Sequence, residues 1–141
     1  MKRLKLNTQR IRSCLKESHL RSTRKRECIL EALLTFDRPV SAEELRDRAD
    51  LPKSDLVTVY RTIEAFLGIG IVQGIPLEDG KTIYELTDPG DHHHHFVCRK
   101  CHKTERLDLC LAGELEKKAR KLGFSDISHV MEVYGSCEDC N

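Results

Sequence analysis

The apolar positions of this chain change period, and each change marks a new kind of element. Over residues 8–20 a thin apolar stripe of Ile11, Leu15 and Leu20 runs through polar neighbours and predicts an amphipathic helix. Residues 21–24 interrupt it. Thr23 then stands where an N-cap is needed, ahead of a second helix whose apolar face is Ile29, Leu30, Leu33, Leu34 and Phe36. A turn over 37–40 leads to a capping-box pair, Ser41 and Glu44, in which each side chain can accept from the other's backbone N–H. The short helix they open runs to about Ala49. Pro52 breaks the pattern, and Ser54 or Asp55 caps a fourth helix that reaches Leu67 and stops at Gly68 and Gly70. Its apolar face is assigned to Leu56, Val59, Tyr60, Ile63, Phe66 and Leu67, with Thr58, Arg61, Thr62 and Ala65 opposite.

Beyond Gly70 the period falls to two. Residues 71–75 and 81–86 alternate as strands do, and Glu78, Asp79 and Gly80 between them make a hairpin turn. Helices followed by a hairpin are the order of a winged helix-turn-helix, with 41–49 and 54–67 as the helix-turn-helix pair. Turn residues fill 87–91. The pattern then restarts: strands over 92–98 and 104–109, a helix over 112–122 ended by Gly123, and a third strand over 127–134. The fold class is therefore α+β, with a winged-helix domain over 1–87, a hinge over 88–91 and a small α/β domain over 92–141. The last has few apolar residues, so a metal or a partner subunit is needed to hold it.

Charge sharpens the division. The net charge of the 141 residues is only +1, yet residues 1–75 hold 15 basic and 10 acidic side chains, and residues 76–141 hold 9 and 13. A basic front half suits a polyanion, and a solvated basic helix is the competing reading. On the fourth helix, the face carrying Thr58, Arg61 and Thr62 suits base edges in a major groove, with Arg61 reaching guanine and threonine methyls meeting thymine methyls. No apolar run approaches the roughly 18 residues of a membrane span. The basic N-terminus lacks the apolar segment of a signal peptide, so the expected location is the cytoplasm. There, seven cysteines point to metal and not to disulfides.

The chemistry is concentrated at residues 91–101, where four histidines run into a Cys-x-x-Cys; a second Cys-x-x-Cys closes the chain. Cys98, Cys101, Cys137 and Cys140 can form a closed tetrahedral thiolate site, the form of structural zinc. A redox dithiol is the alternative. The histidine run feeds two sites if it is a strand, because successive side chains face opposite ways. His93 and His95 face one side, with Glu85 as a natural third ligand. His92 and His94 face the other, with His129 and Glu114 as candidates. A solvated histidine loop is the competing account. Cys14, Cys28 and Cys110 have no partner at ligand spacing, and Cys110 is assigned to packing at a helix start or to an uncommitted thiol.

Several stretches together resemble the ferric uptake regulator family of metal-dependent bacterial repressors. They are residues 23–26, 58–61 (Thr58, Val59, Tyr60, Arg61), 84–86, the histidine run with its Cys-x-x-Cys, and 133–140. The resemblance implies a homodimer that binds a double-stranded DNA operator when metal-loaded. It implies DNA contacts for Arg26, Tyr60 and Arg61, structural zinc at the four cysteines, and a hinge site at Glu85, His93 and His95. It also implies a second site at His92, His94, His129 and, by a looser alignment, Glu114. Regulatory zinc is favoured over ferrous iron, with manganese, nickel and peroxide sensing behind. The unbroken histidine run resembles the zinc-uptake branch, and the aspartate of peroxide sensors is replaced here by Glu105 and Arg106. A zinc hydrolase needs an open coordination position and a general base in a recognisable motif, which the sequence lacks. A metal buffer would bind metal without selecting DNA.

Overall fold

A computed structural model describes residues 7–141; the basic residues among the first six lie outside that range. The chain divides into two compact units, one ending at Asp91 and the other beginning at His92.

In the first unit, α1 (Thr8–Glu17) is capped by Asn7, whose side chain accepts from the Arg10 N–H at 3.1 Å. Thr23 caps α2 (Arg24–Thr35) through the Arg26 N–H at 3.2 Å. At α3 (Ala42–Arg48) both halves of the capping box form: Glu44 N–H donates to Ser41 Oγ, and Ser41 N–H donates to Glu44 Oε2. A 3-10 turn over Lys53–Asp55 leads into α4 (Leu56–Gly68). The apolar stripes of the four helices meet in one core that includes Ile11, Ile29, Leu30, Leu45, Ile63 and Phe66.

The strands β1 (Val72–Pro76) and β2 (Thr82–Leu86) pair antiparallel, with Val72 opposite Leu86. Gly80 takes a φ of +86° in the connecting turn, a conformation that a side chain would strain. Val40 and Tyr84 exchange two backbone hydrogen bonds, 2.8 and 2.7 Å, which pin the approach to α3 against this wing.

Several expectations need correction here. α1 ends at Glu17, short of Leu20, and Phe36 is the extended C-cap of α2 instead of its last apolar turn. Neither Ser54 nor Asp55 caps α4 through its side chain; the Asp55 carboxylate is held by Lys25 at 2.9 Å. The face of α4 is also rotated. Val59, Thr62, Ile63 and Phe66 are its buried residues, while Tyr60 and Leu67 are exposed. At about 100° per residue, Thr62 falls about 40° outside Phe66 on one flank of the stripe and Tyr60 about 60° outside Ile63 on the other, and the packing buries the Thr62 flank. The exposed side is therefore Val57, Tyr60, Arg61 and Glu64.

In the second unit, β3 (His94–Cys98) lies between β4 (Thr104–Leu107) and β5 (Glu132–Gly135). It runs antiparallel to β4 and parallel to β5, with His95 opposite Glu132 and Cys98 opposite Gly135. Helix α5 (Ala112–Lys121) connects the outer strands and buries none of its residues. The first strand thus starts at His94, two residues later than expected, and the third starts only at Glu132 and ends at Gly135, one residue beyond the expected end. Residues 127–131, including His129, are irregular. Among the described residues of this unit, the buried apolar side chains are Val97 and Cys98. Leu115, Leu122, Phe124 and Val130 are exposed.

Candidate metal centres

The first centre is built by two backbone knuckles. After β3 the chain turns at Cys98–Cys101, with the His102 N–H donating to the Cys98 carbonyl at 3.0 Å and His102 in the left-handed region. After β5 it turns again in the 3-10 segment Glu138–Cys140. The parallel register carries Cys98 beside Gly135, and the Arg99 N–H donates to the Gly135 carbonyl at 2.8 Å. Lys100 Nζ reaches the Cys140 carbonyl at 2.6 Å and ties the knuckles together. The four sulfurs lie within 4.8 Å of one another, and Cys101 Sγ is 3.6 Å from Cys137 Sγ. Zinc–sulfur bonds of about 2.3 Å at the tetrahedral angle place sulfurs about 3.8 Å apart, so this set fits that ion.

Proton affinities within the set point the same way. Backbone N–H groups of Cys101 and then Cys137 draw the Cys98 thiol down to about 5. Its neighbours move oppositely: burial raises Cys137, and a hydrogen bond with Cys137 pushes Cys140 up to about 12. One thiolate forms readily, while burial and hydrogen bonding hold the protons on Cys137 and Cys140. A divalent cation replaces those protons.

The second centre gathers histidines from two separate stretches of chain. His94 comes from the start of β3 and His92 from the residues just ahead of it, His129 from the irregular segment before β5. Their Nε2 atoms are mutually 3.1 Å (92 to 94), 2.8 Å (92 to 129) and 3.3 Å (94 to 129) apart. A neutral imidazole nitrogen carries either one proton or one lone pair in its ring plane. Three such atoms in a triangle cannot satisfy one another pairwise, but all three can point at one cation. Zinc–nitrogen bonds near 2.0 Å give nitrogen separations of about 3.3 Å. Burial, and then the neighbouring His92 and His129, hold the His94 pKa below its ordinary value, which keeps the ring in its ligating neutral form.

The fourth residue of this group is Cys110, with Sγ 3.6 Å from His129 Nε2. The sequence left Cys110 to helix-start packing or an uncommitted thiol, and the structure brings it against His129. The thiol also serves the helix start, since the Ala112 N–H donates to it at 3.4 Å. Glu114, the acidic candidate, is not in the group; it lies one turn into α5, exposed, 3.8 Å from Lys117 Nζ.

His93 and His95 have ring centroids 4.9 Å apart. The His95 backbone N–H donates to Glu132 Oε2 at 2.7 Å, and His95 Nδ1 lies 3.3 Å from the same carboxylate. A proton shared there fixes the tautomer with the lone pair on Nε2, the arrangement that carboxylates impose on metal-binding histidines. Sequence reasoning missed Glu132, because its opposition to His95 is a property of the parallel register.

In the first unit, Arg61 and Tyr60 are exposed on α4 and Thr58 is half-buried. Arg26 donates through Nη1 to the Arg21 carbonyl at 2.6 Å. Part of the basic excess is already matched: Arg12 faces Glu27 and Glu31, and Lys25 faces Asp55.

The ferric uptake regulator family model matches residues 17–134. The zinc uptake regulation protein of Mycobacterium tuberculosis is 39% identical over 124 residues, covering 86% of this chain and 95% of that protein. The ferric uptake regulation protein of Neisseria meningitidis is 35% identical over 133 residues, covering 89% and 90%. The crystal structure of the Vibrio cholerae ferric uptake regulator aligns with a TM-score of 0.65 at 32% identity, over 89% of this chain and 98% of that one.

Proposed function

Since this chain belongs to the ferric uptake regulator family, whose members are metal-dependent transcriptional regulators, we propose that it is a zinc-responsive repressor of metal-uptake genes. It acts as a homodimer on a double-stranded operator. The observation that carries the reading is the convergence of the His92, His94 and His129 nitrogens, separate from a four-cysteine centre. The four-cysteine site closes its coordination sphere and so suits a structural ion. The histidine sites are the regulatory ones. Glu85, His93 and His95 form the hinge site of this proposal, supported by the family resemblance and by the Glu132 contact that sets the His95 tautomer.

Metal control follows from linkage. A cation that binds one arrangement of the chain better than others shifts the population toward it by its differential affinity. In a dimer, that arrangement sets the spacing of the two α4 helices against successive major grooves. Arg61 and Tyr60 on the exposed side of α4 are the assigned groove contacts, Thr58 flanks them, and Arg26 contacts backbone phosphate. The unburied Leu115, Leu122 and Phe124 support a second copy packing on the small unit. A repressor of this kind works beside the chromosome, in the cytoplasm, and no helix among the described residues is long and apolar enough to cross a membrane.

The test is a DNA-shift titration with zinc, ferrous iron and manganese, with metal content measured in the same samples. Zinc-selective activation is expected, abolished by a chelator. Activation by ferrous iron at lower free concentration would make the protein an iron-responsive member instead. DNA binding indifferent to chelation would overturn metal control altogether.

A further inference from the structure

The His92, His94 and His129 group is completed by sulfur. We propose that Cys110 Sγ is its fourth ligand, giving a closed three-nitrogen, one-thiolate site that takes zinc in preference to harder divalent ions. The inference deepens the metal-control reading above and rests on it only for the site's regulatory meaning.

Geometry carries the proposal. With zinc–nitrogen bonds near 2.0 Å and a zinc–sulfur bond near 2.3 Å, tetrahedral angles place nitrogen and sulfur about 3.6 Å apart. Cys110 Sγ lies 3.6 Å from His129 Nε2, and all four donor atoms fall within 4.8 Å of one another. The Ala112 N–H donating to Cys110 Sγ is the kind of outer contact that orients a thiolate ligand. Cys110 stands immediately ahead of α5, so the helix start fixes its backbone. The acidic alternative, Glu114, is on the exposed side of the helix with Lys117.

The substitution of sulfur for a carboxylate changes what the site can hold. Carboxylate oxygen suits manganese and iron, whereas thiolate suits zinc and cobalt. Four protein donors leave no open position, so the site binds its ion without offering it to a substrate. Zinc affinity here also depends on the thiol staying reduced, because only the thiolate ligates.

Cobalt(II) reports directly on sulfur ligation through a thiolate-to-cobalt charge-transfer band. Full-length protein, with zinc retained at the four-cysteine centre and verified by metal analysis, is given one equivalent of cobalt without DNA. The wild type is expected to show the band with tetrahedral visible absorption. Cys110→Ser should lose the band, Cys110→Asp should bind cobalt without it, and Glu114→Ala should keep it. A wild-type spectrum with no such band, or one that Cys110→Ser leaves unchanged, overturns the proposal. If Cys110→Ser fails to fold, seen as loss of the retained zinc, the Cys110→Asp spectrum decides in the same way. Because DNA is absent, loss of the thiolate assignment leaves metal-dependent repression standing. Chelator-insensitive DNA binding by a protein that shows the band would remove only the metal-control reading.

Discussion

The two units solve the same problem with different forces. The first buries a connected cluster of fourteen apolar side chains, from Ile11 in α1 to Leu86 in β2. Among its described residues the second buries two apolar side chains, Val97 and Cys98, and its helix buries none. Burying an aliphatic or aromatic side chain contributes about 1.5–3 kcal/mol, so two of them cannot offset the ordering of some fifty residues. A structural zinc bound by thiolates contributes about 10–16 kcal/mol in small domains. The contrast teaches that the first unit has an apolar core of its own, whereas the second depends on what its donor side chains bind.

The largest expected effect is therefore on the metal. Cys98→Ala should abolish protection from hydrogen exchange over β3, β4 and β5 while α2 and α4 keep theirs. Equal loss in both units would break the comparison. Next, Phe66→Ala, which empties a fully buried position, should lower the stability of the first unit by about 3–5 kcal/mol without changing zinc content. A fall in bound zinc in that variant would show that the units are not independent. A smaller effect is expected from Arg61→Ala: operator affinity should drop by about 1–3 kcal/mol, most strongly at one base position, with both melting transitions unchanged. Uniform weakening across unrelated sequences would make Arg61 a phosphate contact.

The smallest is a single proton. In protein carrying zinc only at the four cysteines, the folded pKa of His94 lies below its ordinary value, chiefly through burial. The unfolded chain then binds the proton first as pH falls. The stability contributed by neutral His94 is complete above about pH 6.5, the ordinary histidine value, and is lost as pH falls through the folded pKa. Exchange rates of β3 amides should accordingly rise on acidification while those of α4 do not follow the same titration. Loss of stability on raising the pH instead would contradict the direction of this shift.

Much of the first unit could be read directly from the chain. The Thr23 cap, the Ser41–Glu44 box and the Gly80 turn are local, and each is set by residues within a few positions. The α4 stripe was legible in existence but misassigned in phase: a short aromatic–aliphatic run allows Tyr60 on either side until the neighbouring helices choose. In the second unit the two Cys-x-x-Cys motifs and the alternating histidines were legible because their spacing is itself the ligand geometry.

What the sequence determined alone was the inventory of donors, the order of elements and the faces on which His92 and His94 diverge from His93 and His95. The sequence offered His129 as a candidate, and tertiary structure alone brought Cys110 and Glu132 to the histidines. His129 approaches His92 across 37 residues of chain, and Cys110 approaches His129 across 19. Glu132 meets His95 only through a parallel register. Periodicity governs neighbours one turn or one pleat apart, and it carries no information about where an irregular segment such as 127–131 returns. That path is set by how β5 docks beside β3 and where α5 begins, which is why a cysteine and not the nearby glutamate ends up against the imidazoles.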